Sequence, residues 1–233
     1  MSNQTYQERR DQIQVYFDRT ALDAWKKFAS DAPLSRIRSI VREGREAMQA
    51  VLLSHFPKDL RGWRILDAGC GAGPLSFELA RRGADVVGID LSPEIIALAA
   101  NRAQSFDGIG SLDFCAGDML SSELGAFDGV VSMDCLIHYG QADIADALAE
   151  LAARTSQKIV FTVAPSTPLL VAKRRLGTLF PKADQAPAIQ PPKIGTLQRA
   201  FRSNGSLADW NLTTGQRVSK TFYISQAMEM SRA

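Results

Sequence analysis

Two short stretches of the sequence carry residue types at spacings that suit the binding of an adenosyl cofactor. Asp67 comes at the end of an apolar run, and Asp90 ends the next apolar run about twenty residues later. Three glycines follow the first acid at alternate positions, Gly69, Gly71 and Gly73. Glycines let a backbone approach a ligand closely, and an acid at the later position can accept hydrogen bonds from both ribose hydroxyls. Pro74 suits the first turn of a helix and argues against a pyrophosphate-binding turn.

The loop with its preceding acid resembles motif I of the class I S-adenosylmethionine methyltransferases. On that basis Asp67 is expected to meet the ammonium side of the methionine moiety, directly or through water. Leu91, next to Asp90, is expected to pack on one face of the adenine. A glycine-rich turn without a ligand is the alternative interpretation of the loop, and a loop or capping carboxylate is the alternative for Asp90.

Residues after the third and fourth predicted strands are expected to complete this cofactor site. Asp118 is placed to meet the adenine amino group, and Met119 is a soft apolar neighbour for the ring. Met133 ends the strand that should reach the methyl donor, and the loop that follows it contains His138. An ordinary Gly-Asp turn at Asp118 and a structural histidine at position 138 are the competing interpretations.

The elements that must hold these residues alternate between short apolar runs and amphipathic helices. The predicted strands are 63–67, 85–90, 111–116, 127–132, 157–164, 208–215 and 217–225. The predicted helices are 4–19, 34–56, 74–82, 93–106, 141–154, 169–179 and 195–204. This order predicts an α/β fold of Rossmann-like type. Its seven-stranded sheet is mostly parallel and doubly wound, with an antiparallel C-terminal strand and additional N-terminal helices.

Two parts of the chain fall outside the repeating strand–helix pattern. Residues 1–60 are predicted to form a helical extension that covers the active site, and residues 61–233 to form the cofactor-binding domain. Within that domain, six prolines between 165 and 192 argue against a regular unit and predict an inserted segment at about 165–195.

The composition limits the class of protein. A net charge of +2 over 233 residues provides no basic field for nucleic-acid binding. Three cysteines without a C-x-x-C pair suggest neither disulfides nor a protein metal site, and a reducing cytoplasm is the expected location. No apolar run approaches the ~20 residues of a membrane span, although peripheral contact with a photosynthetic membrane stays open.

Five segments together resemble the magnesium-protoporphyrin IX methyltransferases of bacteriochlorophyll and chlorophyll biosynthesis. They are 16–20 (YFDRT), 35–40 (SRIRSI), 133–139 (MDCLIHY), 161–170 (FTVAPSTPLL) and 217–223 (RVSKTFY). The resemblance extends from about Tyr16 to the C-terminal end. Ala72 and Cys135 depart from it, since that family often has Thr and Ser at these positions.

The resemblance implies transfer of a methyl group from S-adenosylmethionine to one propionate of magnesium-protoporphyrin IX, with magnesium present only in the substrate. A propionate is already ionised at neutral pH, so no general base is required. Tyr16 and His138 are therefore expected to orient the acceptor by hydrogen bonding or to contact the macrocycle. A half-buried aromatic side chain of a helix is an equal alternative for Tyr16. Substrate contacts are expected from Arg38, Tyr139 and Pro165. Arg38 belongs to a basic stripe with Arg42 and Arg45, for which a solvated helix face is an equal alternative.

The expected partners are the porphyrin itself and the porphyrin-binding subunit of magnesium chelatase. Two other functions remain open from the sequence. One is methylation of another small apolar acceptor, such as a phenol or quinone precursor. The other is binding of S-adenosylmethionine without catalysis.

Overall fold

The chain forms one seven-stranded sheet with helices on both faces. The structure is a computed structural model that describes residues 3–16, 36–166 and 189–232. The strands are β1 Arg64–Ala68, β2 Asp85–Asp90, β3 Ser111–Ala116, β4 Phe127–Ser132, β5 Thr155–Val163, β6 Trp210–Lys220 and β7 Tyr223–Arg232. The helices are α1 Asn3–Tyr16, α2 Arg36–Ser54, α3 Pro74–Arg81, α4 Pro93–Ala103, α5 Gln141–Ala152 and α6 Ile194–Ser203.

The strand order confirms the predicted fold class. The strands pair in the order β3-β2-β1-β4-β5-β7-β6. β1 to β5 are mutually parallel, and β7 runs antiparallel to both β5 and β6. The predicted boundary between the last two strands, near residue 216, is wrong. The ladder passes through an irregularity between Thr214 and Arg217, and the turn comes later, at residues 221 and 222.

Alternating side chains of the central strands enter two separate apolar cores. Leu66 and Val130 point to the face covered by α5 and α6, whereas Ile65 and Val131 point to the face covered by α2 and α3. All four side chains are fully buried. Burial on both faces explains why these strands are continuous apolar runs in the sequence. The sheet therefore holds the carboxyl ends of β1 and β4 rigidly side by side.

The order in which strands are added to the sheet reverses between β1 and β4, and open α/β sheets bind their ligands at such a point. The loops after β1, β2 and β4 meet at this point. Residues 17–35 and 167–188, with the predicted helix 169–179 and most of the predicted insertion, lie outside the described residues. Among the helices that are described, none has the length and apolar character needed to cross a membrane.

Candidate active site

The loop between β1 and α3 forms the floor of the site, and its glycines have backbone angles that other residues avoid. Gly69 has φ +78° and Gly73 has φ +79°. A Cβ atom on Gly69 would lie 2.6 Å from the Cβ of Cys135, and one on Gly73 would lie 2.7 Å from the Phe114 ring. Both positions therefore require glycine on steric and conformational grounds. The N–H of Gly69 donates to the carbonyl of Ile89 at 2.8 Å, which ties the loop to the end of β2.

Asp67 lies beneath this loop and supports it. The side chain is 1% exposed, and its Oδ2 accepts a hydrogen bond of 2.6 Å from the hydroxyl of Ser76 in the first turn of α3. The carboxylate thereby ties the end of β1 to the first turn of α3. Burial raises the pKa of Asp67 to about 7, although the bonds from Ser76 act in the opposite direction.

The raised pKa of Asp67 predicts a pH-dependent stability of the cofactor-free protein. The folded protein disfavours the ionised form of this carboxyl group. Below pH 3.8, its ordinary pKa, the group is protonated in both states and does not lower the stability, whereas above about pH 7 its ionisation lowers the stability by the full amount. We expect the free energy of unfolding to fall by up to about 4 kcal/mol between these values. Asp67→Asn should abolish this component in urea titrations at several pH values. The exposed Asp209→Asn should retain it, and an unchanged pH profile in Asp67→Asn would contradict the assignment.

Asp90, at the end of β2, holds the glycine loop in place from the other side. Its Oδ2 accepts from the N–H of Gly71 at 3.0 Å, and its Oδ1 accepts from the N–H of Ser92 at 3.1 Å. Asp90 lines a cavity together with Leu91 and Ile95. A carboxylate in the lining of a cavity, next to apolar side chains, suits a ribose with its adjoining base.

The first helix, α1, covers the corner of the site where the adenine is expected. The Tyr6 hydroxyl donates to Asp118 Oδ1 at 2.9 Å, and Arg10 Nη1 donates to Asp118 Oδ2 at 3.2 Å. The Tyr6 ring stacks on the Tyr139 ring with centroids 5.0 Å apart. Burial is the main cause that raises the pKa of both tyrosines, so both are neutral at physiological pH. Met119, next to Asp118, is buried as expected for an apolar neighbour.

The loop after β4 brings the expected acceptor residues to the same cavity. His138 ends a short 3₁₀ helix, Leu136–His138, and is 8% exposed. Met133, His138 and Tyr139 all line the cavity, and so does the apolar side chain of Ile13 from α1. The lining of the cavity thus combines apolar side chains with the polar side chains of Arg45, Asp90, Asp134, His138 and Tyr139.

Asp134, in this loop, is the centre of a polar network that the sequence analysis did not identify. Its backbone has φ +55°, which is strained for a residue other than glycine. Its Oδ2 accepts from Arg45 at 2.9 Å and from the Tyr223 hydroxyl at 3.0 Å. The hydroxyls of Thr162 and Ser225 each donate to Oδ1 at 3.3 Å. Residues from α2, β5 and β7 therefore meet at one carboxylate in the loop after β4, beside the cavity.

The residues predicted from the sequence divide into three groups. The first group lines the cavity and consists of Gly69, Asp90, Leu91, Met133, His138 and Tyr139. A second group supports the cavity from behind or above and consists of Asp67, Gly71, Gly73, Asp118 and Met119. A third group is not brought to it. Arg38 is exposed on α2, Pro165 is buried after β5, and the side chain of Tyr16 lies outside the described residues.

Tyr6, Arg10, Arg45, Asp134 and Tyr223 are the site residues that sequence reasoning missed. Arg45 belongs to the predicted basic stripe, in which Arg38 is the predicted substrate contact. The only local signal was the helical spacing of Tyr6 and Ile13, which indicated a buried face without indicating its partner. In the described ranges, no group of three or more His, Cys, Asp and Glu residues could hold a metal ion.

Comparison with known proteins gives similarity over nearly the whole chain. A family model described as "Magnesium-protoporphyrin IX methyltransferase C-terminus" matches residues 132–232, and one described as "Methyltransferase domain" matches residues 65–158. Magnesium-protoporphyrin O-methyltransferase from Rhodobacter capsulatus is 46% identical over 225 residues, covering 96% of this chain and 97% of that protein. The protein of the same name from Synechocystis sp. is 28% identical, with 95% of each covered.

The comparison with solved structures agrees with the comparison of sequences. The crystal structure of magnesium protoporphyrin IX methyltransferase from Synechocystis PCC 6803 with bound SAH has a TM-score of 0.79 and 26% identity to this chain. That match covers 96% of this chain and 99% of the solved chain.

Proposed function

The chain belongs to the magnesium-protoporphyrin O-methyltransferase family, and we infer that it methylates one propionate carboxylate of magnesium-protoporphyrin IX. The methyl donor is S-adenosylmethionine, and the products are the monomethyl ester and S-adenosylhomocysteine. The observation that carries this conclusion is 46% identity over 96% of the chain. The described cavity, which Asp90 lines together with apolar side chains such as Leu91 and Ile95, has the chemistry expected of part of an adenosyl site.

The reaction requires the protein to position the reactants and exclude water, with no proton to remove. S-adenosylmethionine, when bound, supplies a methyl group on a positively charged sulfur. A carboxyl group with an ordinary pKa of about 4 to 5 is ionised at neutral pH. Leu91 and Tyr139 line the cavity, and a bound porphyrin would displace water from it. An acceptor carboxylate that loses its hydration there reacts more readily. Opposite charges cancel in this transfer, which an apolar site favours.

His138 is the residue we propose to orient the acceptor, and its replacement tests this role. His138→Ala should lower kcat about 10- to 100-fold, because a carboxylate held out of line reacts slowly. His138→Gln retains a side-chain donor and should recover part of that loss. Single-turnover methylation assays at saturating substrates measure both variants. Equal losses in the two variants would contradict an orienting hydrogen bond.

The proposed contacts of the substrate include Tyr16, Arg38 and Pro165. We also propose that residues 1–60 cover the active site. The contacts of Tyr6 and Arg10 with Asp118 support the role of the cover, since they place α1 over the cofactor side. The substrate contacts rest on the family resemblance alone.

The proposed reaction is tested with purified protein, S-adenosylmethionine labelled in its methyl group, and protoporphyrin with or without magnesium. We expect a base-labile labelled ester in the magnesium sample only. Label on a phenol or quinone precursor instead would favour another acceptor. If the protein bound S-adenosylmethionine but transferred no methyl group to any acceptor, the result would favour a protein that binds the cofactor without catalysis.

We also propose that the substrate arrives from the porphyrin-binding subunit of magnesium chelatase, with peripheral contact to a membrane. Ile37 and Phe222 support an apolar contact surface, because 53% and 45% of these side chains are exposed. Flotation with vesicles and co-sedimentation with the chelatase subunit test the two contacts. Ile37→Ser with Phe222→Ser should weaken whichever contact is real.

A further inference from the structure

Arg45 is the one lysine or arginine among the described residues that line the cavity. We propose that Arg45 binds the non-reacting propionate of the substrate, and that Asp134 and Tyr223 position Arg45 for this task. This assignment rests on the proposed function, because it requires a porphyrin with two carboxylates. It makes Arg45 a specificity-determining residue of the acceptor side.

The contacts of Asp134 show why Arg45 is more than a neutralising partner. Hydroxyls of Tyr223, Ser225 and Thr162 already donate to the Asp134 carboxylate. Burial, followed by the nearby charge of Asp134, raises the pKa of Tyr223, which therefore keeps its proton and donates. The carboxylate is thus fixed in orientation by several groups, and it holds Arg45 at one defined place beside the cavity.

The negative charges around the cavity favour a cation at the position of Arg45. Asp90 and Asp134 are both carboxylates that line the cavity, and the substrate brings two more negative charges. Like charges in a site with little water repel strongly. Arg45, which is 26% exposed, offsets this repulsion on the side of the loop after β4.

The chemistry of guanidinium favours the non-reacting carboxylate over the reacting one. A guanidinium binds a carboxylate through two parallel hydrogen bonds, which makes recognition directional as well as strong. Such a pair would withdraw electron density from a nucleophilic oxygen and slow its attack. Bound to the other propionate, the same pair holds the macrocycle and leaves the reacting carboxylate unpaired.

A thermodynamic cycle between Arg45 and the substrate carboxylate tests the assignment. Titrations followed by the porphyrin absorption band compare the dicarboxylate substrate with its two mono-acid analogues, in each of which one propionate is replaced by a propyl group. Arg45→Gln should weaken binding of the dicarboxylate about 10- to 100-fold. One of the two analogues lacks the propionate that Arg45 binds. For that analogue, Arg45→Gln should not weaken binding. Arg45→Lys keeps the charge and should give an intermediate loss.

Controls separate this role from an effect on the fold. Arg36→Gln changes an exposed arginine on the same helix and should leave porphyrin affinity unchanged. Arg45→Gln should lower the affinity for S-adenosylmethionine, measured by calorimetry, by a smaller factor than the affinity for the dicarboxylate. Tyr223→Phe, which removes one donor to Asp134, should weaken binding of the dicarboxylate by a smaller factor and leave that of the same analogue unchanged.

The outcomes distinguish this assignment from the proposed reaction, because binding is measured without methyl transfer. Equal losses for the dicarboxylate and both analogues would overturn the assignment of Arg45, and so would no loss at all. If the wild-type protein formed no ester but the binding titrations gave the expected losses, the proposed reaction alone would be overturned.

Discussion

Asp90→Ala is expected to weaken binding of S-adenosylmethionine at least about 100-fold. Each hydrogen bond to a charged group contributes about 1.5–3 kcal/mol, and the two ribose hydroxyls would lose such a partner together. The variant also removes the acceptor of the Gly71 and Ser92 N–H groups, so the glycine loop loses support. Isothermal titration calorimetry with the cofactor alone measures the effect directly.

A matched control is available on the same strand. Asp85 lies at the opposite end of β2, is exposed, and accepts a hydrogen bond of 2.8 Å from the Ser111 hydroxyl. Asp85→Ala should leave cofactor affinity within about twofold of wild type, because it is remote from the cavity. If Asp90→Ala behaved like Asp85→Ala, the ribose would have to be bound by other residues.

Gly69→Ala is expected to lower the free energy of unfolding by about 2–5 kcal/mol and to impair cofactor binding. The left-handed conformation costs a residue other than glycine about 1–2 kcal/mol. The new Cβ would approach the Cβ of Cys135 to 2.6 Å, and relieving such overpacking costs about 1–3 kcal/mol more. Gly69 also lines the cavity, so the displaced loop would meet the cofactor.

Gly62 provides the control that separates strain from steric conflict. Its φ is +81°, close to the +78° of Gly69, but nothing lies within 4 Å of a Cβ placed there. Gly62→Ala should therefore cost only the conformational penalty of about 1–2 kcal/mol. Chemical denaturation of both variants gives the difference. Equal losses would show that Cys135 moves aside without cost.

The sequence predicted best those features that depend on neighbouring residues. The bounds of β2, β3 and β4 agree with the predicted strands, because each is a short segment rich in apolar residues with turn residues at its ends. The loop from Asp67 to Gly73 was identified by its spacing alone. The fold class followed from the repeated order of strands and helices, and it is confirmed. The roles assigned to individual site residues stay predictions.

Contacts between distant residues could not be predicted, since no local pattern encodes them. Tyr6 bonds to Asp118 across 112 residues, and Arg45 to Asp134 across 89. His55 shows the same difficulty. The helix predicted at 34–56 includes it, but it follows α2, and its Nδ1 lies 2.6 Å from Glu229 Oε2, 174 residues away. Only the pairing of the strands brings such residues together.

The position of β7 has a consequence for how the protein is made. β6 precedes β7 along the chain, yet β7 lies between β6 and β5 in the sheet. On the ribosome, β6 therefore emerges before β7, the strand with which it pairs, and must wait for it. The Tyr223 and Ser225 hydroxyls that hold Asp134 arrive on this late strand. A growing chain thus acquires the strands of its cofactor half before the strand that fixes Asp134 and, through it, Arg45.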